Sequence, residues 1–267
     1  MASIMWHAIR RRRAGLLWWS IGIAALAALL AVAYPTVRGN SELDKTFANL
    51  PPGVESLLGL GDGNLLTSPA GYLNSQFFAN LLPIMLLIFA VGTAAWSVAG
   101  DEAAGTFELL VANPISRARV ALARLTALAV MLSVLAAVAA LTLIALAPAT
   151  GLNKGITGAN LLAATLAATL VALTFAAVAF AVGAATGRRS AALAIASAFA
   201  VAGYVVEGLT QQVPVFRAVR GGNPWHWLLS DDPLRHGLTW HTWALPLATT
   251  IILVAAAMPR LTRRDLH

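Results

Sequence analysis

The sequence predicts an all-α integral membrane protein with six transmembrane helices and both termini cytoplasmic. Composition, six apolar runs and the lack of period-two alternation predict it. Hydrophobic residues make up 59% of the chain and charged residues only 11%, against about 25% charged in a soluble domain. A helix needs about 20 apolar residues to cross the hydrocarbon core. Stretches at about 14–34, 73–99, 119–147, 159–186, 190–210 and 242–259 meet or approach that length. A transmembrane barrel would show strands of alternating polarity, and none is present. The whole chain, 1–267, therefore reads as one transmembrane domain.

Span one follows the basic run Arg10–Arg13 and ends near Ala31-Val32-Ala33, which looks like a signal-peptidase site. Its apolar run exceeds the usual 7–15 residues of a cleaved signal, so it reads as a retained span. Pro83 falls in the first third of span two, where neighbouring helices can satisfy the backbone it frees. Span six is short and holds Pro246. Between spans one and two, Pro51-Pro52-Gly53 and Gly61-Asp62-Gly63 indicate loop, with a short helix over 54–60. Between spans five and six, Pro214, Asn223-Pro224 and Asp231-Asp232-Pro233 punctuate a Trp-rich segment. It reads as short helices lying in or dipping into the outer interface.

Arginine counting sets the direction. With the N-terminus inside, the inner segments hold twelve of the 18 lysines and arginines: Arg10–Arg13, Arg117, Arg119, Arg124, Arg188, Arg189, Arg260, Arg263 and Arg264. The net charge of +7 is thus a matter of topology and does not call for nucleic acid. Trp18 and Trp19 sit near the inner interface, and Trp225, Trp227, Trp240 and Trp243 cluster outside. An aromatic belt at the headgroups is the favoured reading; the lining of an exit path, with Trp225 and Trp227 as an outer gate, is the other.

No catalytic constellation emerges. The chain has no cysteine, which excludes disulfides, thiolate metal sites and a Cys nucleophile. There is no H-E-x-x-H, no G-x-S-x-G and no P-loop. His236 and His241 are poorly spaced for one helical face. Asp231-Asp232-Pro233 is turn chemistry and lacks the second acidic motif a metal–diphosphate site needs. The span centres carry no charge. Glu207, near the outer end of span five, either snorkels to the interface or faces the bundle as part of a gate; snorkelling is the favoured reading. So few buried ionisable groups argue against an ion-coupled pump, and energy has to come from elsewhere.

Residues 100–120, GDEAAGTFELLVANPISRARV, concentrate charge between spans two and three. Wound as a helix, 101–112 places Phe107, Leu110, Val111, Ala103 and Ala104 on one face. Asp101, Gly105, Glu108 and Ala112 share a second, and Glu102 and Leu109 a third. That is an amphipathic helix at the cytoplasmic surface. Asn113-Pro114 ends it, and Ser116 is placed to cap span three. The acidic face is either solvated loop or a docking surface for a partner.

This stretch resembles the cytoplasmic loop of ABC-2-type transporter permeases. An acidic pair (Asp101, Glu102) leads to Gly-Thr (Gly105, Thr106), then Glu-Leu-Leu (Glu108, Leu109, Leu110), a turn at Asn113, and Pro114 to Ser116 and Arg117. The basic start, LTSPAGYLN before span two and DDPLRHG before span six are similar to an actinobacterial branch. Asn113 departs from a common Thr, and Ala123-Arg124 from a common Gly-Lys. The resemblance implies a permease subunit that pairs with a second copy or homologue in the cell membrane and binds no cofactor itself; nucleic acid is not expected as a partner. ATP and Mg belong to a separate ATP-binding subunit, and residues 101–117 form the coupling helix that docks on it. It also implies export, with lipophilic or amphipathic cargo such as a drug or antibiotic suited to the alanine-rich spans. A stand-alone enzyme acting on lipids, using Asp231 or His236, and a purely structural subunit are the alternatives.

Overall fold

A computed structural model describes residues 2–47, 54, 66–103, 116–210 and 213–263. All regular structure among these is helical. Helix α1 (Ala2–Val37) is followed by a short α2 (Ser41–Phe47). Span two comprises α3 (Pro69–Leu73), a π turn (Asn74–Phe78) and α4 (Leu81–Ala103). Then come α5 (Arg117–Thr150), α6 (Gly158–Thr186) and α7 (Arg189–Leu209). Three short helices follow, α8 (Pro214–Val219), α9 (Pro224–Leu229) and α10 (Pro233–His236), before α11 (Trp240–Arg263). Among the described residues six spans are long and apolar enough to cross a membrane, and they match the six apolar runs in order. Six crossings return the chain to the side where it began, here called the terminal end. The opposite side is the far end.

Helix ends follow local chemistry. Ser68 caps α3, its Oγ accepting from Gly71 N at 3.1 Å, with Pro69 in the first turn. Thr157 does the same for α6 through Asn160 N at 3.2 Å. Gly187 ends α6 at φ +67, a left-handed position that favours glycine. Ser116 occupies the N-cap position of α5, but its hydroxyl makes no capping bond. Its carbonyl instead accepts from Arg119 and Val120. Helix α1 also runs back through Arg10–Arg13, because arginine is a good helix former and a formed helix propagates cheaply. The short helix expected over 54–60 lies outside the described residues, Val54 apart.

Span two departs from the continuous helix expected. Pro83 offers no N–H to Ala79 O, and its ring crowds that carbonyl. The chain resolves this by breaking at Ala79-Asn80, so that Pro83 falls in the first turn of α4. Ala79 N reaches back to Asn74 O at 2.8 Å, closing the π turn. The Asn80 amide donates to Ser75 O at 3.4 Å, and its oxygen accepts from Tyr204 Oη at 2.5 Å. Side-chain bonds thus stand in for the interrupted ladder.

The most buried span is α6, which packs against α4, α5, α7 and α11. Its sequence is apolar all round and rich in alanine, so neighbours approach closely. Buried Thr165, Thr169 and Thr174 return their hydroxyls to Leu161, Thr165 and Leu170 carbonyls at 2.7–3.1 Å. Helix α1 lies along α5. The outward faces of α1, α7 and α11 expose Leu17, Ile21, Leu29, Phe199, Val201, Ile251 and Ile252. A water-soluble surface rarely tolerates such faces; a bilayer solvates them. Because α6 is the packing centre, Ala168→Leu at a fully buried position is expected to destabilise by about 1–3 kcal/mol through overpacking. Leu166→Ala on the exposed side of α6 should change little. Thermal unfolding of the two purified variants distinguishes them.

Candidate functional site

At the far end of α7 the chain turns back on itself, and the short helices fold against the spans. Glu207, in the last turn of α7, is fully buried. This corrects the snorkelling expectation. Three donors converge on its carboxylate. Arg220 Nε and His226 Nδ1 each lie 3.1 Å from Oε1, and Asn223 Nδ2 lies 3.3 Å from Oε2. Arg220 keeps part of its side chain at the surface, about 36% exposed, whereas Glu207 has none. The carboxylate is therefore held by compensation from within, which is how a buried charge is tolerated.

Asn223 organises the site. Standing before Pro224 it is held extended, at φ −88 and ψ 119. Its Oδ1 caps α9 by accepting from Trp225 N at 3.2 Å, and its Nδ2 also donates to Gly203 O at 2.8 Å. Trp225 Nε1 donates to Ala200 O at 2.9 Å. The Trp225 ring meets Tyr204 edge-on at 5.1 Å and Phe175 at 6.1 Å. Trp227 Nε1 donates to Gly221 O at 2.7 Å. Trp225 and Trp227 are both buried, so they are packing anchors and not members of a headgroup belt. Trp240 and Trp243 remain exposed. Of the three gate candidates, the structure brings Glu207 and Trp225 together through Asn223; Trp227 holds the adjoining turn.

A second cluster secures the entry to α11. Asp231 accepts from Thr239 Oγ1, from His241 Nδ1 at 3.2 Å and from Ser230 Oγ at 3.2 Å. Burial works to raise its pKa, but the bonds from Thr239, His241 and Ser230 outweigh it, so the carboxyl titrates below its ordinary range. His236 Nδ1 faces the Asp231 backbone carbonyl at 3.1 Å, not the carboxylate. Asn160 ties the segment to α6 by donating to Leu234 O at 2.5 Å. Among the described residues no three His, Cys, Asp or Glu side chains are grouped to hold a metal.

The proposed docking residues divide differently. Asp101 and Glu102 lie in the last turn of α4, which runs on to Ala103. Gly105, Thr106, Glu108, Leu109, Asn113 and Pro114 lie outside the described residues. Ser116 and Arg117 open α5. Sequence reasoning missed Arg220, His226 and Asn223 as partners of Glu207. The Asn223-Pro224 pair was the available signal, since Asn before Pro is a helix-start signature.

A family model described as ABC-2 family transporter protein matches residues 3–266. Among curated proteins none matches the chain.

A Cβ at Gly203 would lie 2.9 Å from Asn223 Oδ1 and 3.2 Å from Trp225 Cδ1. Gly203→Ala is therefore expected to loosen the segment despite the ~1 kcal/mol that alanine adds to a helix. Glu207→Ala should act alike, costing about 1.5–3 kcal/mol for the lost charged hydrogen bonds. The cysteine-free chain gives a direct readout: Leu228→Cys, at a buried site, should resist maleimide in the parent and react in either variant. Separately, a depressed Asp231 pKa stabilises the fold above the unfolded carboxyl value, about pH 4, and that contribution is lost as pH falls through the lower folded value. The melting temperatures of the parent and Asp231→Asn should accordingly differ at neutral pH and converge in acid below about pH 4.

Proposed function

The chain belongs to the ABC-2 transporter family, and from that membership we propose that it is the permease subunit of an ATP-driven exporter. In this reading a separate cytoplasmic ABC subunit binds ATP and Mg, a second permease copy or homologue completes the pathway, and the cargo is lipophilic or amphipathic. Both termini then face the cytoplasm, in keeping with the arginine distribution.

The observation that carries the proposal is the state of Glu207. Among the described residues it is the one carboxylate within the apolar membrane-crossing stretches, since that of span two ends at Ser97, before Asp101 and Glu102, and its oxygens are engaged by Arg220, His226 and Asn223. A proton-coupled carrier relies on intramembrane carboxylates that can change charge. Here the single candidate is committed to holding the far-end segment. Energy entering through a partner fits that arrangement, and the sequence has no P-loop of its own.

Two elements then have assigned roles. Residues 101–117, from the last turn of α4 to the first residue of α5, dock on the ATP-binding subunit and transmit its closure to those two helices. The far-end helices α8–α10, pinned by the Glu207 and Asp231 clusters, form the outer gate. Reversing the docking charges tests the first role. Glu102→Arg and Glu108→Arg are expected to insert normally while lowering transport and stimulation of the partner's ATPase by tenfold or more, roughly one charge-assisted contact each. Parent-level transport in both variants, reconstituted with the ATP-binding subunit, would overturn the docking role.

A further inference from the structure

Span two is two pieces held by different neighbours. Pro148, Pro246 and Pro259 sit inside unbroken helices, so a proline alone does not sever a span in this molecule. Span two is severed, at Ala79-Asn80. On the far side of this joint α3 is tied to α1, with Tyr72 Oη donating to Leu30 O at 3.1 Å. On the other side α4 runs to the terminal end, where its last turn holds Asp101 and Glu102. Its ties to α1 and α5 are made there by long side chains, Arg12 to Thr93 Oγ1 and Arg124 to Ser97 O. Hinges sit at such element ends, where one or two residues absorb the backbone change while packed helices slide.

Asn80 stands in the joint, and its amide bonds two separate bodies. Nδ2 donates to Ser75 O of the π turn at 3.4 Å, while Oδ1 accepts from Tyr204 Oη at 2.5 Å. The second bond is much the shorter, and it crosses to α7. Tyr204 carries the connection onward. Its ring meets Trp225 edge-on at 5.1 Å, and its neighbour Gly203 accepts from Asn223 Nδ2 at 2.8 Å. Trp225 and Asn223 belong to the far-end segment. One hydrogen bond and one ring contact therefore lead from the joint to α9.

Packing on Trp225 asks only for a ring, and phenylalanine would supply one. A hydroxyl within a span needs a polar partner, and the partner here is the side chain that stands in the break. Hydrogen bonds weaken steeply when misaligned, whereas ring contacts tolerate sliding. A bond anchored in the joint thus responds to the direction of α4 more sharply than the packing around it does. We infer that the Tyr204–Asn80 hydrogen bond is a strap, which holds the far-end segment closed on α7 and is released when α4 reorients about the Ala79-Asn80 joint. The inference rests on the reading of α8–α10 as the outer gate, and it names the contact by which that gate senses the terminal end.

The test uses the full-length chain carrying Leu228→Cys, a buried position of α9, with the rate of maleimide reaction as the measure of opening. Tyr204→Phe keeps the ring and removes the strap, and is expected to speed labelling about fivefold, the share of one neutral hydrogen bond. Asn80→Ala should do the same, and the double variant no more than Asn80→Ala alone. Pro83→Ala lets the helical ladder re-form across the joint and re-aims Asn80. It should also speed labelling about fivefold in the parent, with no further rise in Tyr204→Phe. Tyr34→Phe removes a hydroxyl of the same kind, bonded to Thr67 O at 3.1 Å, and should leave the rate unchanged. Parent-rate labelling of Tyr204→Phe would overturn the strap, as would an equal rise in Tyr34→Phe, which would mean general loosening. No rise in Pro83→Ala, or one that adds to that of Tyr204→Phe, would overturn the link to span two. The gate reading is measured separately in the complex with the ATP-binding subunit, where ATP should speed labelling of the parent. A parent that ignores ATP while the variants of the chain alone behave as expected would sink the gate reading and not the strap.

Discussion

In hydrocarbon, a backbone group that leaves the helical ladder has to be met by another protein group. The far half of this molecule is built around that constraint. Span two breaks at Ala79-Asn80, and Asn80 supplies a side-chain bond to Ser75 O. Helix α7 ends inside the packed body, and Trp225, Asn223 and Thr210 reach the Ala200, Gly203 and Glu207 carbonyls. Helix α9 begins there too, with its first donor capped by Asn223. Each group left unmet would cost about 1–3 kcal/mol, so these polar side chains are what allows a span to stop short and a segment to fold back.

Glu207 enters this arrangement as a charge among dipoles. Arg220 and His226 reach it from two consecutive elements of the returning segment, the turn after α8 and helix α9. One carboxylate therefore gathers residues 13 and 19 positions away onto the last turn of α7. Asp231 performs a milder version of the same task nearer solvent, binding Thr239 and His241 across the turn that leads into α11. The two clusters fasten opposite ends of the short-helix segment. Tyr204 links the first of them to span two, since its ring packs on Trp225 while its hydroxyl bonds Asn80.

The six spans were legible because hydropathy summed over about 20 residues leaves little ambiguity. The family was legible in GDEAAGTFELLVANPISRARV, a short motif with a fixed order of residue types. Pro83 was visible as a disturbance, but whether neighbours absorb it or the helix breaks depends on Asn80 and Tyr204, which lie 124 positions apart. Burial of Glu207 was not legible for a similar reason. A carboxylate near a span end reads as snorkelling unless its partners are known, and those partners arrive only after a reversal of the chain. Trp225 and Trp227 misled in the same way: tryptophan in a far-end segment is ambiguous between interface and core until packing against Tyr204 and Phe175 decides it.

The separation between Glu207 and its partners also bears on biosynthesis. Helix α7 emerges from the ribosome with its carboxylate already in place, while Arg220, Asn223 and His226 lie 13 to 19 residues behind it. During insertion that carboxylate has no compensating cation, and only its position near the helix end limits the penalty. The ion pair belongs to the second stage of membrane-protein folding, in which inserted helices associate. Sealing of the far end is thus a late event, completed only after the segment leading to α11 has been made. A nascent chain halted before Arg220 would hold five spans and an uncompensated acid.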